Sequence, residues 1–214
     1  MKLTEIQHLL DDKYLKISSL RELIRSLIED ESQIDDLQNK NDFIEKLKDR
    51  ERELRRVYRQ KQAVFVSLAN GRIGIGGRPS VAKIQEFKDE GVTCIVTLLK
   101  PEEKLVEELG SAIQSAGIEW VWFPLSASQL PDDEDFKNNI KAVYEQLISI
   151  LKNGGTVFIH CAAGVHRTGS FTNGLLRKMG LSKEESKSKI FEMRPITAIE
   201  AVTKHWNWSE KIIN

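Results

Sequence analysis

From about Ala63 onward, short apolar runs alternate with amphipathic segments, and this alternation restricts the fold more than any other feature of the chain. It is the pattern of an α/β domain with a mostly parallel sheet covered by helices on both faces. Val64–Leu68 and Arg72–Ile75 read as strands around the turn Ala69-Asn70-Gly71. Ser80 is placed to cap a helix through Phe87 that Gly91 ends, and Val92–Leu99 is a strongly apolar strand. Pro101 is expected to open a helix with Glu102 and Glu103 in its first turn, where the helix dipole favours carboxylates. Trp120–Pro124 reads as a further strand, and Phe136, Ile140, Val143, Leu147 and Ile150 make one helical stripe. Gly154-Gly155 turns the chain into the strand Thr156–His160, and helices through about Met179, Phe191 and Trp206 follow. In such sheets ligands collect at the carboxyl ends of the strands. The last and most apolar strand delivers Cys161 to that end.

Residues 1–62 have a different texture, highly charged and without glycine or proline. Leu3, Ile6, Leu10, Ile17, Leu20, Ile24, Leu27 and Ile28 fall near helical spacing. After a polar interval from Asp30 to Asn41, a second helix is expected through Phe43, Ile44, Leu47, Leu54 and Val57. The expectation is a helical hairpin extension over 1–62, serving packing, self-association or substrate docking, ahead of a second domain over 63–214. Its heptads are too irregular for a coiled coil.

Lys plus Arg equals Asp plus Glu at 32 each, so no global basic field points to nucleic acid or to an anionic membrane. No run of 18 apolar residues is present, and the amino terminus lacks the apolar core of a signal peptide. The two cysteines, Cys94 and Cys161, are too few for a disulfide-stapled secreted domain. Together these features set the expectation of a cytoplasmic chain with both thiols free. Cys94, inside an apolar strand, is expected to be inert. His8 and His205 have no metal-ligating neighbours in sequence, so no metal and no cofactor are expected.

The chemistry concentrates in His160-Cys161-Ala162-Ala163-Gly164-Val165-His166-Arg167-Thr168-Gly169. A short loop entering a helix aims several backbone N–H groups into one concavity, and the helix amino terminus adds positive potential. Gly164 permits the positive φ such a turn needs. The same field favours thiolate over thiol at Cys161. Arg167 offers a planar fork to two phosphate oxygens. Nucleophile, amide cradle and guanidinium would then surround one phosphoryl group.

His-Cys-x5-Arg-Thr-Gly between an apolar strand and a helix resembles the active-site signature of the cysteine-dependent protein tyrosine and dual-specificity phosphatases. The resemblance extends over roughly 64–208. Gly76-Gly77-Arg78-Pro79-Ser80 and Gly91-Val92-Thr93-Cys94-Ile95-Val96-Thr97-Leu98 look like segments of the small dual-specificity members. Arg194-Pro195-Ile196-Thr197-Ala198-Ile199-Glu200 is similar to the kinase-associated-phosphatase branch, which usually carries Gln where this chain has Glu200. The resemblance implies a dual-specificity-phosphatase-like fold and hydrolysis of phosphotyrosine or mixed phosphoprotein substrates through a phosphocysteine on Cys161. It implies that Arg167 clamps the phosphate, that Thr168 assists breakdown of the intermediate, and that His160 orders the loop. Ala162, Ala163, Gly164, Val165 and His166 would line the substrate phosphate, with His166 at the rim.

The family's general acid is an Asp on the loop after the strand Trp120–Pro124, and alignment places Ala127 there. Asp132, Asp133 and Asp135 follow Pro131, and Asp132 is taken as the acid; the plainer reading of an Asp at this point is a helix cap. Without an acid, two other readings stand. One is a phosphate-recognising module with little turnover. The other is an RNA or nucleotide 5′-triphosphatase, whose leaving group needs less protonation. Trp120 and Trp122 should share one face of their strand, as core packing.

Overall fold

The computed structural model describes residues 12, 14–29, 37–58, 63–126, 131–201 and 203–213. The chain divides into two compact units, Met1–Lys61 and Gln62–Asn214. In the first, α1 (Ile17–Glu29) and α2 (Leu37–Tyr58) pack through Leu20, Ile24, Leu27, Phe43, Ile44, Leu47 and Leu54, all buried. This is the spaced-aliphatic pattern at work: one apolar stripe per helix, with charge elsewhere. Glu51 joins the helices by accepting from Arg21 Nε at 2.8 Å, and the same carboxylate takes Arg55 from its own helix at 2.7 Å. The expected helical positions Leu3, Ile6 and Leu10, and most of the polar interval, lie outside the described residues. The second helix starts at Leu37, within the interval read as polar.

The second unit is a five-stranded sheet in the order β1-β2-β5-β3-β4. Its strands are β1 (Phe65–Leu68), β2 (Gly71–Gly77), β3 (Cys94–Thr97), β4 (Glu119–Trp122) and β5 (Thr156–Cys161). Only β1 runs antiparallel, joined to β2 by the turn at Ala69-Asn70. The other four are parallel, so Gly77, Cys161, Thr97 and Trp122 end at one edge. All six residues of β5 are buried at the sheet's centre, which is why it is the most apolar strand.

Helices cover both faces. On one, α3 (Val81–Asp89, capped by the Ser80 hydroxyl) and α4 (Val106–Ser115) enclose Ile84, Phe87, Ile95, Leu109, Ile113 and Phe158. On the other, α5 (Glu134–Lys152) and α6 (His166–Lys178) meet through Tyr144 and Phe171, with ring centroids 5.0 Å apart. α7 (Lys183–Met193), α8 (Pro195–Glu200) and α9 (Thr203–Ile213) follow, and α9 packs on α6. No described helix is long and apolar enough to cross a membrane.

Three expectations are corrected. Pro101 does not open a helix; residues 101–105 form turns and α4 starts at Val106, with Glu107 and Glu108 as its first-turn acids. Glu103 closes a turn with Lys100 instead: its carboxylate takes the Lys100 N–H at 2.8 Å and its own N–H donates to Lys100 O at 3.0 Å. The strands Val92–Leu99 and Trp120–Pro124 are shorter, at Cys94–Thr97 and Glu119–Trp122. The buried stripe of α5 is Ile140, Tyr144, Leu147 and Leu151, so Val143 and Ile150 sit beside it. Trp120 and Trp122 do share a face, stacked at 5.5 Å. Their indole N–H groups bond Thr97 Oγ1 and the Leu99 carbonyl.

Candidate active site

The loop 162–165 leaves the middle of the sheet and enters α6. Gly164 has φ +69°, and a Cβ there would lie 2.2 Å from the Gly76 carbonyl carbon, so both backbone conformation and space demand glycine. Three successive carbonyls of the loop are tied outward. Ala162 O accepts from the Arg78 N–H at 3.1 Å. Ala163 O and Gly164 O accept from Arg194 Nη1 at 2.8 and 2.6 Å, and Gly164 O also takes the Thr197 hydroxyl at 2.6 Å. In a trans peptide the next N–H points opposite to the carbonyl. The N–H groups of Ala163, Gly164 and Val165 therefore face the other way, and the Gly164 N–H donates to Cys161 Sγ at 3.2 Å. With the unpaired N–H groups of the first turn of α6, this makes a concave anion cradle around the sulfur.

Arg167, 9% exposed, supplies the cation. Its Nη1 and Nη2 engage both oxygens of Glu103, at 2.5 and 2.9 Å, and Nη1 also reaches Leu98 O and Leu125 O. That uses the end of the guanidinium. The guanidinium also interacts with the Cys161 side chain, and the two parallel donors of its side edge, Nε–H with the second Nη2–H, suit two oxygens of a tetrahedral anion. The hydrogen bond to Glu103 raises the Arg167 pKa, with the nearby Cys161 adding to it. The Glu103 carboxyl is held below its ordinary value by the same bond, so it stays ionised and is unsuited to donating a proton. Arg194 is pulled the other way by burial, while Cys161 offsets part of that shift.

His160 is wholly buried, with Nε2 2.9 Å from Thr97 Oγ1. Burial first, and then the positive Arg78 and Arg167, push its pKa from 6.5 down to about 4; the Cys161 backbone acts in the opposite direction. The ring is thus neutral near pH 7. In the unfolded chain it protonates near 6.5, so between pH 6.5 and 4 the unfolded state binds more protons. Stability from this site is full above pH 6.5 and lost as pH falls toward 4. We expect a loss of about 2 kcal/mol from His160 alone between pH 7 and pH 5, a span of roughly 1.5 pKa units at 1.36 kcal/mol each. Denaturant midpoints at the two pH values check this, and His160→Asn should flatten the difference.

Thr168 Oγ1, in the first turn of α6, is buried and has no hydrogen-bond partner among the described residues. His166 is exposed and stacks on the buried His205 of α9, centroids 4.9 Å apart. Cys94 is far from this role; burial pushes its thiol up to about 12. Among the described residues no cluster of three or more His, Cys, Asp or Glu could hold a metal.

The structure therefore brings together Cys161, the loop 162–166, Arg167, Thr168 and His160. It does not bring Asp132 into hydrogen-bond contact with them. Asp132 is exposed, and the cap of α5 is its neighbour Asp133, whose carboxylate takes the Phe136 N–H at 2.9 Å. Ala127 lies outside the described residues. The ends of its loop are anchored, at Leu125 O by Arg167 and at Pro131 O by Trp208 Nε1 at 2.6 Å. Sequence reasoning missed Glu103, Arg194 and Thr197. The last two lie in a segment that stands out only for its resemblance, and Glu103 falls where the pattern predicts the first turn of a helix.

A model of the family described as "Polymorphic toxin system, DSP-PTPase phosphatase" matches residues 74–180, half of the chain. No curated protein matches the sequence at a significant level. Among solved structures the fold is similar to kinase associated phosphatase (KAP) with its catalytic cysteine replaced by serine, at 19% identity and TM-score 0.60, covering 70% of this chain and 92% of that one. It is also similar to PTPMT1, at 18% identity and TM-score 0.56, covering 70% and 94%. A putative protein tyrosine phosphatase from Leishmania major matches at 16% identity and TM-score 0.52, covering 72% and 98%. At these identities the structures speak for the fold, and the family match, which runs from β2 through α6, speaks for the family. The chain belongs to the DSP-PTPase phosphatases of polymorphic toxin systems, enzymes of phosphoester hydrolysis.

Proposed function

We propose that this chain hydrolyses phosphomonoesters of phosphorylated proteins or peptides, phosphotyrosine among them, through a phosphocysteine intermediate on Cys161. The observation that carries this reading is the set of three outward-tied loop carbonyls, with the Gly164 N–H on the Cys161 sulfur. That arrangement leaves the cradle open for a phosphoryl group directly against the nucleophile. The Cys161 thiolate attacks phosphorus and the ester oxygen leaves with a proton from Asp132. Loop amides and the side edge of Arg167 hold the three equatorial oxygens. Water then cleaves the S–P bond and gives its proton to the Asp132 carboxylate, releasing phosphate and restoring the thiolate, and the Thr168 hydroxyl, without a hydrogen-bond partner among the described residues, assists that departure.

The test is turnover of a chromogenic aryl phosphate by the full chain in chelator. We expect metal-independent hydrolysis, inhibition by vanadate and a phosphorylated Cys161 peptide on acid quench. Asp132→Asn should slow alkyl phosphates more than aryl phosphates, because only the poorer leaving group depends on the proton. Phosphate binding without turnover would instead support a recognition module, and faster release of the γ-phosphate from triphosphate-ended RNA than from any phosphopeptide would support the triphosphatase reading.

A further inference from the structure

We propose that the cleft between the start of α3 and the start of α4 is a specificity subsite that receives an apolar side chain of the substrate, close in sequence to its phosphorylated residue. The inference rests on the phosphoprotein reading above and adds to it the kind of peptide recognised.

The cleft encloses about 470 Å³ and is lined by Arg78, Pro79, Val81, Leu105, Glu108 and Leu109 among others. That volume lies within the range of roughly 300–1,000 Å³ typical of ligand sites. Two features mark it as more than a surface dent. First, Val81 and Leu105, 42% and 54% exposed, are two of the four large hydrophobic side chains left exposed among the described residues, and both line this cleft. Second, Leu105 breaks two local rules at once. It has φ +67° and ψ +17°, the left-handed region that disfavours a branched side chain, and it occupies the N-cap of α4 with no capping hydrogen bond. Glycine or asparagine would suit the backbone better, so a leucine here serves what lies outside the helix.

The cleft and the anion cradle meet at Arg78, which lines the cleft and whose backbone N–H donates to the cradle's Ala162 O at 3.1 Å. Gly77 is the register partner of Cys161 in the sheet, and the next residue, Arg78, is the first lining residue. Neighbouring strands stand about 5 Å apart, so a peptide whose phosphate sits over Cys161 is within a residue or two of the cleft. Three consecutive residues then tie the two sites together. Glu103 grips Arg167, the Lys104 carbonyl takes Arg78 Nη1 at 2.6 Å, and Leu105 forms the rim. Arg78 and Glu108 on the lining carry opposite charges, so what disfavours an acidic neighbour of the phosphorylated residue is the loss of its water among Pro79, Val81, Leu105 and Leu109.

The test is a set of alanine-based phosphotyrosyl peptides with Leu, Phe or Asp at each of three positions on either side of the phosphotyrosine. Both kcat/KM with the full chain and Kd with its Cys161→Ser variant are measured. We expect one position at which Leu or Phe exceeds Ala by about tenfold or more in both measures, and at which Asp falls below Ala. Leu105→Ala and, separately, Val81→Asp should bring the Leu-to-Ala ratio at that position to within about twofold. The ratio within one variant cancels any general loss of activity. A wild-type profile flat at all six positions, or a preference that survives both substitutions, overturns the subsite while leaving the phosphatase reading intact. Absence of hydrolysis and of binding for every phosphopeptide and for the aryl phosphate overturns both.

Discussion

Cys161→Ser is expected to abolish turnover, by on the order of 10⁴-fold or more in kcat, while oxyanion binding persists. The reasoning separates two parts of the site. The cradle depends on backbone: Gly164 in its positive-φ turn, the carbonyls held by Arg78, Arg194 and Thr197, and the amino terminus of α6. None of these is disturbed by exchanging sulfur for a smaller oxygen. The nucleophile depends on ionisation, and a serine hydroxyl in the same place stays protonated near neutral pH, with no base to relieve it. His160 does not fill that role: its ring is buried, and its Nε2 is bound to Thr97. Titration with vanadate or phosphate should give a Kd within a few-fold of wild type. Activity above about 1% of wild type in Cys161→Ser would remove Cys161 from the mechanism.

How much of this was legible in the sequence follows from which contacts are local. The loop was legible because Cys161, Gly164, Arg167 and Thr168 are contiguous, and strand–loop–helix context is itself a sequence pattern. Parallel strands end together, so the position of Cys161 at the carboxyl end of the sheet follows from the alternation of elements. What holds the loop was not legible. Arg194 and Thr197 meet Gly164 across about thirty residues, and Glu103 meets Arg167 across 64. No periodicity records such a pairing. Glu103 was also masked by a local signal that was sound in kind: Pro followed by two acids is how many helices begin. In the structure 101–105 form turns, Glu103 pairs with Arg167, and α4 starts at Val106 after the left-handed Leu105. Asp132 is the converse case. A crowded run of acids gives one cap, Asp133, and nothing in its spacing tells which neighbour faces a leaving group.

Arg167→Lys is the second large effect, about 10²–10³-fold in kcat/KM, the scale expected when a preorganised donor to developing charge is lost. The substitution keeps the charge and removes the geometry. In the folded protein the end of the guanidinium is committed to Glu103, Leu98 O and Leu125 O, while the group also interacts with Cys161, so its Nε–Nη2 edge is the pair of donors left for a phosphoryl group. A lysine has one nitrogen to serve both directions. If it stays with Glu103, the phosphoryl oxygens lose both donors; if it turns to phosphate, the Glu103 carboxylate is left in a mostly buried place without its partner. Glu103→Gln tests the other end of the same contact. Its amide can accept from one arm of Arg167 but presents N–H to the other, so the guanidinium loses its fixed orientation while keeping its charge, and we expect a fall of about tenfold. Because the two side chains act as one unit, the double variant Arg167→Lys with Glu103→Gln should cost much less than the product of the single effects. Strict additivity in that cycle would show that Glu103 does not act through Arg167. An unchanged kcat/KM in Arg167→Lys would show that the planar fork is not what holds the phosphoryl group.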